Sequence, residues 1–236
     1  MNEVDPVRET VRANTALAAA GQSDMVWGHA SVRDPEGRGV WMKASGWGFE
    51  EIDADRVVLV SPDGEVLSGG GRRHIEYPIH TELLAARPDA GAVVHTHSTA
   101  AVAFAALDVP LRALSHDAVP FVRPDVPRFT GTGSLVMTRA LGGELAAAVG
   151  EAAGCLVPQH GLVTVGPDAA SAVMYAVLLD RACRTQLTAM AAGPLRRWSD
   201  DEEIARKLRE TWPASQLHAG YRYLCRLAER TGRMGR

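Results

Sequence analysis

The stretch Arg87-Pro88-Asp89-Ala90-Gly91-Ala92-Val93-Val94-His95-Thr96-His97 decides the fold. Pro88 restricts the residue before it and closes the helix that the spacing from Ile79 to Ala86 predicts. Ala92 to His95 is then a brief apolar strand, and Thr99 to Leu107 has the spacing of an alanine-rich helix. His95 and His97 stand two apart at the strand's end. Residues two apart on a strand point to the same face, so both imidazoles can reach one ion.

On the amino-terminal side, Val7 to Ala20 predicts a helix stopped by Gly21. Val26 to Arg33 and Gly39 to Lys43 are strands joined by the turn Asp34-Pro35-Glu36-Gly37. A second hairpin joins Val57 to Ser61 and Glu65 to Leu67 through Pro62-Asp63-Gly64. Gly69 to Arg73 is a short Gly-rich loop. On the carboxyl-terminal side, the proline-rich section from Pro110 to Phe129 is expected to be irregular, and Ser134 to Val149 helical. Cys155 to Val165 is expected as a strand interrupted at Pro158-Gln159-His160-Gly161. Ala169 to Ala192 is a long helix with Asp168 as its N-cap. A charged helical tail runs from Ser199 to Arg230, broken at Pro213. Strands this numerous, joined by short hairpins, predict a mixed or antiparallel sheet flanked by helices.

Of the 236 residues, 46% are hydrophobic and 22% charged, an ordinary globular balance with material for a sizeable core. We expect one domain over 1–236, with the helical tail from about 199 to 236. Aromatic residues make up only 6%, so Ala, Val and Leu must fill most of the core. A formal net charge of −3 argues against a nucleic-acid footprint, which needs clustered excess cation. It leaves room for an acidic small molecule held by local cations. Three cysteines at unpatterned spacing exclude a disulfide framework and point to a reducing cytoplasm. The opening MNEVDPVRET lacks a leader's apolar stretch, and no apolar run reaches the roughly 20 residues of a membrane span.

Eight histidines are present. His160 is the best third partner for His95 and His97, because it too lies at a strand interruption and Gly161 beside it permits a sharp turn. Three neutral imidazoles with an open position make a catalytic rather than a structural metal site. Glu76 precedes a helix start, where a carboxylate is either a dipole partner or cap, or a general acid/base beside the metal. The turns Trp27-Gly28-His29-Ala30-Ser31 and Ala44-Ser45-Gly46-Trp47-Gly48 are either anion-binding backbone or simply tight turns.

Five blocks now stand in order: Gly28 to Arg33, Lys43-Ala44-Ser45-Gly46, Glu76 to His80, Arg87 to His97, and Gln159-His160-Gly161-Leu162. In that order they resemble the class II aldolase/adducin family, over about Val7 to Ala192. The resemblance implies an α/β (α+β-like, three-layer) fold with a central, mostly antiparallel sheet flanked by helices. It implies His95, His97 and His160 as ligands of a divalent metal and Glu76 as the catalytic acid/base. It also implies a homotetramer with active sites between subunits. Zinc, manganese and cobalt all suit imidazole ligands.

The chain departs from the sugar-phosphate aldolases where those enzymes hold phosphate. They carry Gly-Asn in the first turn and Ser-Ser before the catalytic Glu; here stand Gly28-His29 and His74-Ile75. Ser45 and Gly46 keep one wall of the anion pocket. His29 and His74, with Arg72 and Arg73 nearby, offer cationic or donor groups suited to a carboxylate, unless the two arginines are a solvated loop pair. This variant resembles the branch containing decarboxylases of hydroxylated aromatic or pyridine dicarboxylates. The expected substrate contacts are therefore His29, Ser45, Gly46, Arg73 and His74. His116 is either a surface residue or a neighbouring subunit's contribution, and Tyr221 and Tyr223 either close over the site or pack the last helix. His80 is expected to be structural, orienting Glu76.

The activity expected on this basis is that of a metal-dependent carbon–carbon lyase, a decarboxylase of a hydroxylated, non-phosphorylated carboxylate. The alternative is a class II aldolase. An adducin-like assembly module is less favoured because such domains lose the metal ligands that this chain keeps, and a metal-dependent oxygenase or dehydratase is a further rival.

Overall fold

The computed structural model describes residues 5–232, so 1–4 of the opening stretch and 233–236 of the expected tail lie outside the described residues. Helix α1 (Pro6–Ala19) opens with the Asp5 carboxylate accepting from the Val7 and Arg8 N–H groups and with Pro6 in its first turn. Seven strands follow along the chain: β1 (His29–Arg33), β2 (Val40–Lys43), β3 (Val57–Val60), β4 (Val66–Ser68), β5 (Ala92–Thr96), β6 (Gly154–Val157) and β7 (Gly161–Gly166). They form one sheet in the order β4-β3-β2-β1-β5-β7-β6, each neighbouring pair antiparallel.

Six more helices cover it: α2 (Tyr77–Ala86), α3 (Thr99–Ala105), α4 (Arg139–Val149), α5 (Ala169–Ala192), α6 (Asp201–Thr211) and α7 (Ala214–Arg230). The strand alternation sorts the core into two layers. On one face Ala30, Val94 and Leu162 pack with Leu17 of α1, Phe104 of α3, Leu179 of α5 and Leu224 of α7. On the other, Val93, Met42, Val58 and Val163 pack with Ile79 and Leu83 of α2 and Leu145 of α4. The helix-flanked antiparallel sheet read from the sequence is the fold observed.

Several boundaries differ from expectation. The first strand begins only at His29, because residues 21–28 form the loop that Gly21 starts. The helix expected from Ser134 begins at Arg139, where the Thr138 hydroxyl accepts from the Leu141 N–H. The proline-rich section contains a short 3-10 helix, His116–Phe121. The interrupted strand from Cys155 to Val165 is a hairpin, with Leu156 opposite Leu162 and Val157 opposite Gly161. Gln159 takes a positive φ of 66° in its turn. Asp168 caps α5 as expected, accepting from the Ser171 N–H at 2.7 Å. Among the described residues no helix is long and apolar enough to cross a membrane, and the three cysteines are free and buried.

The β1–β2 hairpin is tied by the buried Asp34 carboxylate, which accepts from the Arg38 guanidinium at 2.9 Å and from Trp41 Nε1 at 2.8 Å. These hydrogen bonds, Arg38's foremost, hold its pKa down to about 2 from an ordinary 3.8. A depressed carboxyl stabilises fully above its unfolded pKa and loses that contribution as pH falls through the folded one. Asp34→Asn should therefore cost about 1–3 kcal/mol near pH 7. In urea unfolding run at stepped pH, the gap from wild type should narrow below about pH 4 and close toward pH 2.

Candidate active site

The register of β5 gathers the candidate residues at one end of the sheet. His29 at the start of β1 is paired with His95, and Thr96 is paired with Leu162 on β7. His160 immediately precedes β7, and its approach depends on Gly161, where an added Cβ would lie 2.3 Å from the Thr96 carbonyl oxygen. Gly28, at φ +60°, lets the chain enter β1 between the Phe49 ring and the His95 carbonyl. Glu76, just before α2, comes in from the helical layer over Val93 and His95.

His95 Nδ1–H donates to the Leu162 carbonyl at 2.9 Å, and His97 Nδ1–H donates to Asp24 Oδ2 at 2.8 Å. Both acceptors lack hydrogens, so each ring's single hydrogen is on Nδ1 and each Nε2 offers a lone pair. Those Nε2 atoms lie 3.0 Å apart. Two lone pairs so close repel each other unless a cation takes both. His160, stacked on His97 at 5.1 Å between ring centroids, is half-buried, with both ring nitrogens shielded and free of hydrogen-bond partners. One ligand atom from each of Glu76, His95, His97 and His160 lies within 4.8 Å of the others. The donor set fits a divalent cation held by three imidazoles, with the carboxylate alongside.

Glu76 makes no capping bond to α2, so the helix-cap alternative is set aside. Its Oε1 accepts from the Val136 N–H at 2.8 Å and lies 3.6 Å from His160 Nε2. Its Oε2 lies 3.8 Å from His95 Nε2 and 3.9 Å from His29 Nε2. Burial pushes this carboxyl's pKa up, but the His160 and His29 imidazoles, with His95, outweigh it and hold Glu76 well below the usual carboxylate range. Burial lowers His29 and His95 well below the usual histidine value. It brings His74 to about 4, helped by the Lys43 charge, and His80 to about 3.

The expected substrate contacts divide into two groups. His29 and His74 face Glu76, their ring centroids 4.0 Å apart, but as neutral rings they supply N–H or lone-pair groups rather than the cations anticipated. Ser45 is half-buried and Gly46 exposed; the Ser45 N–H already donates to the Arg72 carbonyl. Arg73 is engaged elsewhere, donating to the Gly64 carbonyl at 2.6 Å and lying over the Tyr77 ring. His116 is exposed at the start of the 3-10 helix, its carbonyl accepting from Trp212. Tyr221 is buried in α7 against α1, its hydroxyl 3.5 Å from Glu9, so it packs the last helix; Tyr223 is exposed. His80 does not touch Glu76 as expected. It hydrogen-bonds His29 and Ser31 instead.

Sequence reasoning missed three groups. Lys43 is fully buried, and its Nζ donates to the Val26 and Trp47 carbonyls, clasping the two Gly turns together. Burial lowers its pKa to about 8. A lysine ending a strand two residues before Ser45 was the available signal. Asp24 and the Val136 N–H carry none, because loop folding alone brings them in.

Residues 8–187 match the model of the Class II Aldolase and Adducin N-terminal domain, and the chain belongs to that family. It is 31% identical over 207 residues to the L-ribulose-5-phosphate 4-epimerase UlaF of Salmonella paratyphi C, covering 80% of this chain and 87% of that protein. The L-fuculose 1-phosphate aldolase structure from Glaciozyma antarctica superposes with a TM-score of 0.84 at 28% identity, covering 96% of this chain and 89% of the other. An aldolase II superfamily protein from Pseudomonas syringae gives 0.84 at 26% identity, covering 97% and 94%.

If Asp24 sets the His97 tautomer for metal binding, Asp24→Ala should weaken zinc affinity about 10- to 100-fold with all three imidazoles intact. Competition against a chromophoric chelator measures this. Unchanged affinity in a variant with the wild-type melting temperature would remove Asp24 from the site.

Proposed function

We propose that this chain is a divalent-metal-dependent carbon–carbon lyase that acts on a hydroxylated carboxylate, with Glu76 moving the proton. The observation that carries this is the Glu76 carboxylate, buried, free of capping duty, and set against the Nε2 atoms of His95 and His160. Bound by His95, His97 and His160, zinc, manganese or cobalt supplies Lewis-acid stabilisation of negative charge developing on a substrate oxygen.

Glu76 is ionised at neutral pH and accepts the hydroxyl proton of the substrate. As the carbon–carbon bond breaks, its electron pair stays on the carbon next to the oxygen-bearing carbon. Glu76 then returns the proton to that carbon. In aldol cleavage that proton comes from the hydroxyl of the departing fragment, which leaves as the aldehyde. In decarboxylation it comes from the hydroxyl of the retained fragment and is delivered to the carbon that loses carbon dioxide, leaving the retained oxygen as an oxyanion that the metal would stabilise. Membership of an aldolase and epimerase family supports the bond type. The replacement of the phosphate-holding positions by His29 and by His74-Ile75 supports a carboxylate over a phosphate, and decarboxylation over aldol cleavage. Lys43, positively charged below its pKa of about 8, supplies the positive charge on that side of the site, while His29 and His74 act as neutral hydrogen-bonding groups. The exposed apolar rim of Met25, Trp27, Trp47 and Ile75 supports cover by a second copy of the chain, as the resemblance implies.

Incubation of the zinc- or manganese-loaded protein with hydroxylated aromatic carboxylates should release carbon dioxide; trapped aldehyde from hydroxy-keto acids instead would select aldol cleavage. Glu76→Gln should lower kcat about 10²- to 10⁴-fold while metal content stays at the wild-type level. Full turnover by that variant would end the acid/base role.

A further inference from the structure

The site holds histidines of two opposite kinds. His95 and His97 spend their Nδ1 hydrogens on the Leu162 carbonyl and on Asp24 and turn lone pairs inward. His29 has a different partner. Its Nδ1 lies 2.6 Å from His80 Nε2, and His80 Nδ1 lies 2.7 Å from Ser31 Oγ. All three residues are fully buried, with His29 and Ser31 on one face of β1 and His80 on α2 above them.

Each contact in this chain holds one hydrogen, and two neutral arrangements exist. In the first, His29 Nδ1–H donates to His80 and His80 Nδ1–H donates to Ser31. The Ser31 hydroxyl hydrogen then has no acceptor among the described residues, and a His29 lone pair faces the Glu76 carboxylate. In the second, Ser31 O–H donates to His80 Nδ1 and His80 Nε2–H donates to His29 Nδ1. His29 Nε2–H then faces Glu76 Oε2, 3.9 Å away. The second is favoured: it gives the Ser31 hydroxyl hydrogen an acceptor, where a buried group left unsatisfied costs about 1–3 kcal/mol. It also turns a hydrogen rather than a repelled lone pair toward the carboxylate, leaving His29 Nε2–H without a hydrogen-bond partner and open to one.

We propose that Ser31 and His80 are positioning residues that hold His29 as an N–H donor, so that this flank binds a substrate oxygen and not a cation. The alternative is real, because ligand atoms of His29, His74 and Glu76 also lie within 4.8 Å of one another and resemble a second metal site. His29 Nε2 and His74 Nδ1 are both buried without hydrogen-bond partners, aimed into this space. A hydrogen on His29 Nε2 removes its lone pair and leaves too few ligands, and the charge of Lys43 opposes a second cation. An acceptor oxygen, by contrast, suits the His29 N–H, and the Lys43 charge felt at His74 favours it. The tautomer assignment stands on geometry, while its use for substrate rests on the lyase function proposed above.

Long-range proton–nitrogen NMR of protein labelled with ¹⁵N-histidine, read without substrate, tests the tautomers directly. We expect His29 and His80 to carry hydrogen on Nε2 and His95 and His97 on Nδ1. A bare Nε2 on His29 in the wild type would overturn the proposal. So would zinc titration in which a second equivalent perturbs His29. Ser31→Ala should mix or invert the His29 and His80 tautomers, and Ser31→Thr should restore them. In turnover, Ser31→Ala should raise KM about tenfold with kcat little changed; an unchanged KM despite altered tautomers would overturn the substrate-binding role. Failure to find lyase turnover would count against the function and leave the NMR result to decide the tautomers.

Discussion

Strand β5 lies between β1 and β7 in a fixed antiparallel register, and the candidate site is a consequence of that placement. Pairing His29 with His95 and Thr96 with Leu162 brings three chain segments to the same end of the sheet. Because side chains alternate with a period of two, a slip by one residue would turn His95 into the layer of α1 and α5 and Val94 toward Glu76. The valines and leucines on both faces resist such a slip, since each would lose its partners in the core. The same apolar packing that stabilises the sheet therefore also aims the imidazoles. Gly161 is the local price of that closeness, as no side chain fits against the Thr96 carbonyl.

A histidine's role in this cluster follows from what its outward nitrogen touches. A carbonyl behind His95 and a carboxylate behind His97 leave lone pairs facing inward, the arrangement a cation needs. An imidazole and a hydroxyl behind His29 leave a hydrogen facing inward, the arrangement an oxygen needs. Glu76 sits between these two poles. Burial magnifies both preferences, because neither lone pair nor N–H can fall back on water. Lys43, positively charged below its lowered pKa of about 8, acts on His74 while its carbonyl contacts join the two glycine turns.

Much was legible in the order of motifs. The strand-and-histidine segment Ala92 to His97, the turn at Gln159-His160-Gly161 and Glu76 before its helix could be placed together without coordinates. Hairpins announced by Pro62-Asp63-Gly64 and Asp34 to Gly37 gave the antiparallel sheet, and Asp168 marked the start of α5. The misreadings have physical causes. The break at Pro158 to Gly161 looked like an interruption because two short strands of one hairpin share a single apolar run. His80 follows Glu76 by one helical turn, yet its ring nitrogens are taken by His29 and Ser31, while Glu76, ahead of α2, accepts from the Val136 N–H. Arg73 and Tyr221 are types that often meet ligands, but here the Gly64 carbonyl and the α1 surface occupy them.

By itself, the sequence determined the kinds of group available and the alternation that builds the sheet, since periodicity and turn chemistry are local properties. It also determined that imidazole, carboxylate and glycine would recur at strand ends. Only the tertiary structure decided which nitrogen of each histidine faces inward. That choice depends on partners 51 to 73 residues away in the chain, such as His80 for His29, Leu162 for His95 and Asp24 for His97. No local pattern encodes such contacts, because they form only when separate loops and strands are brought together by the core.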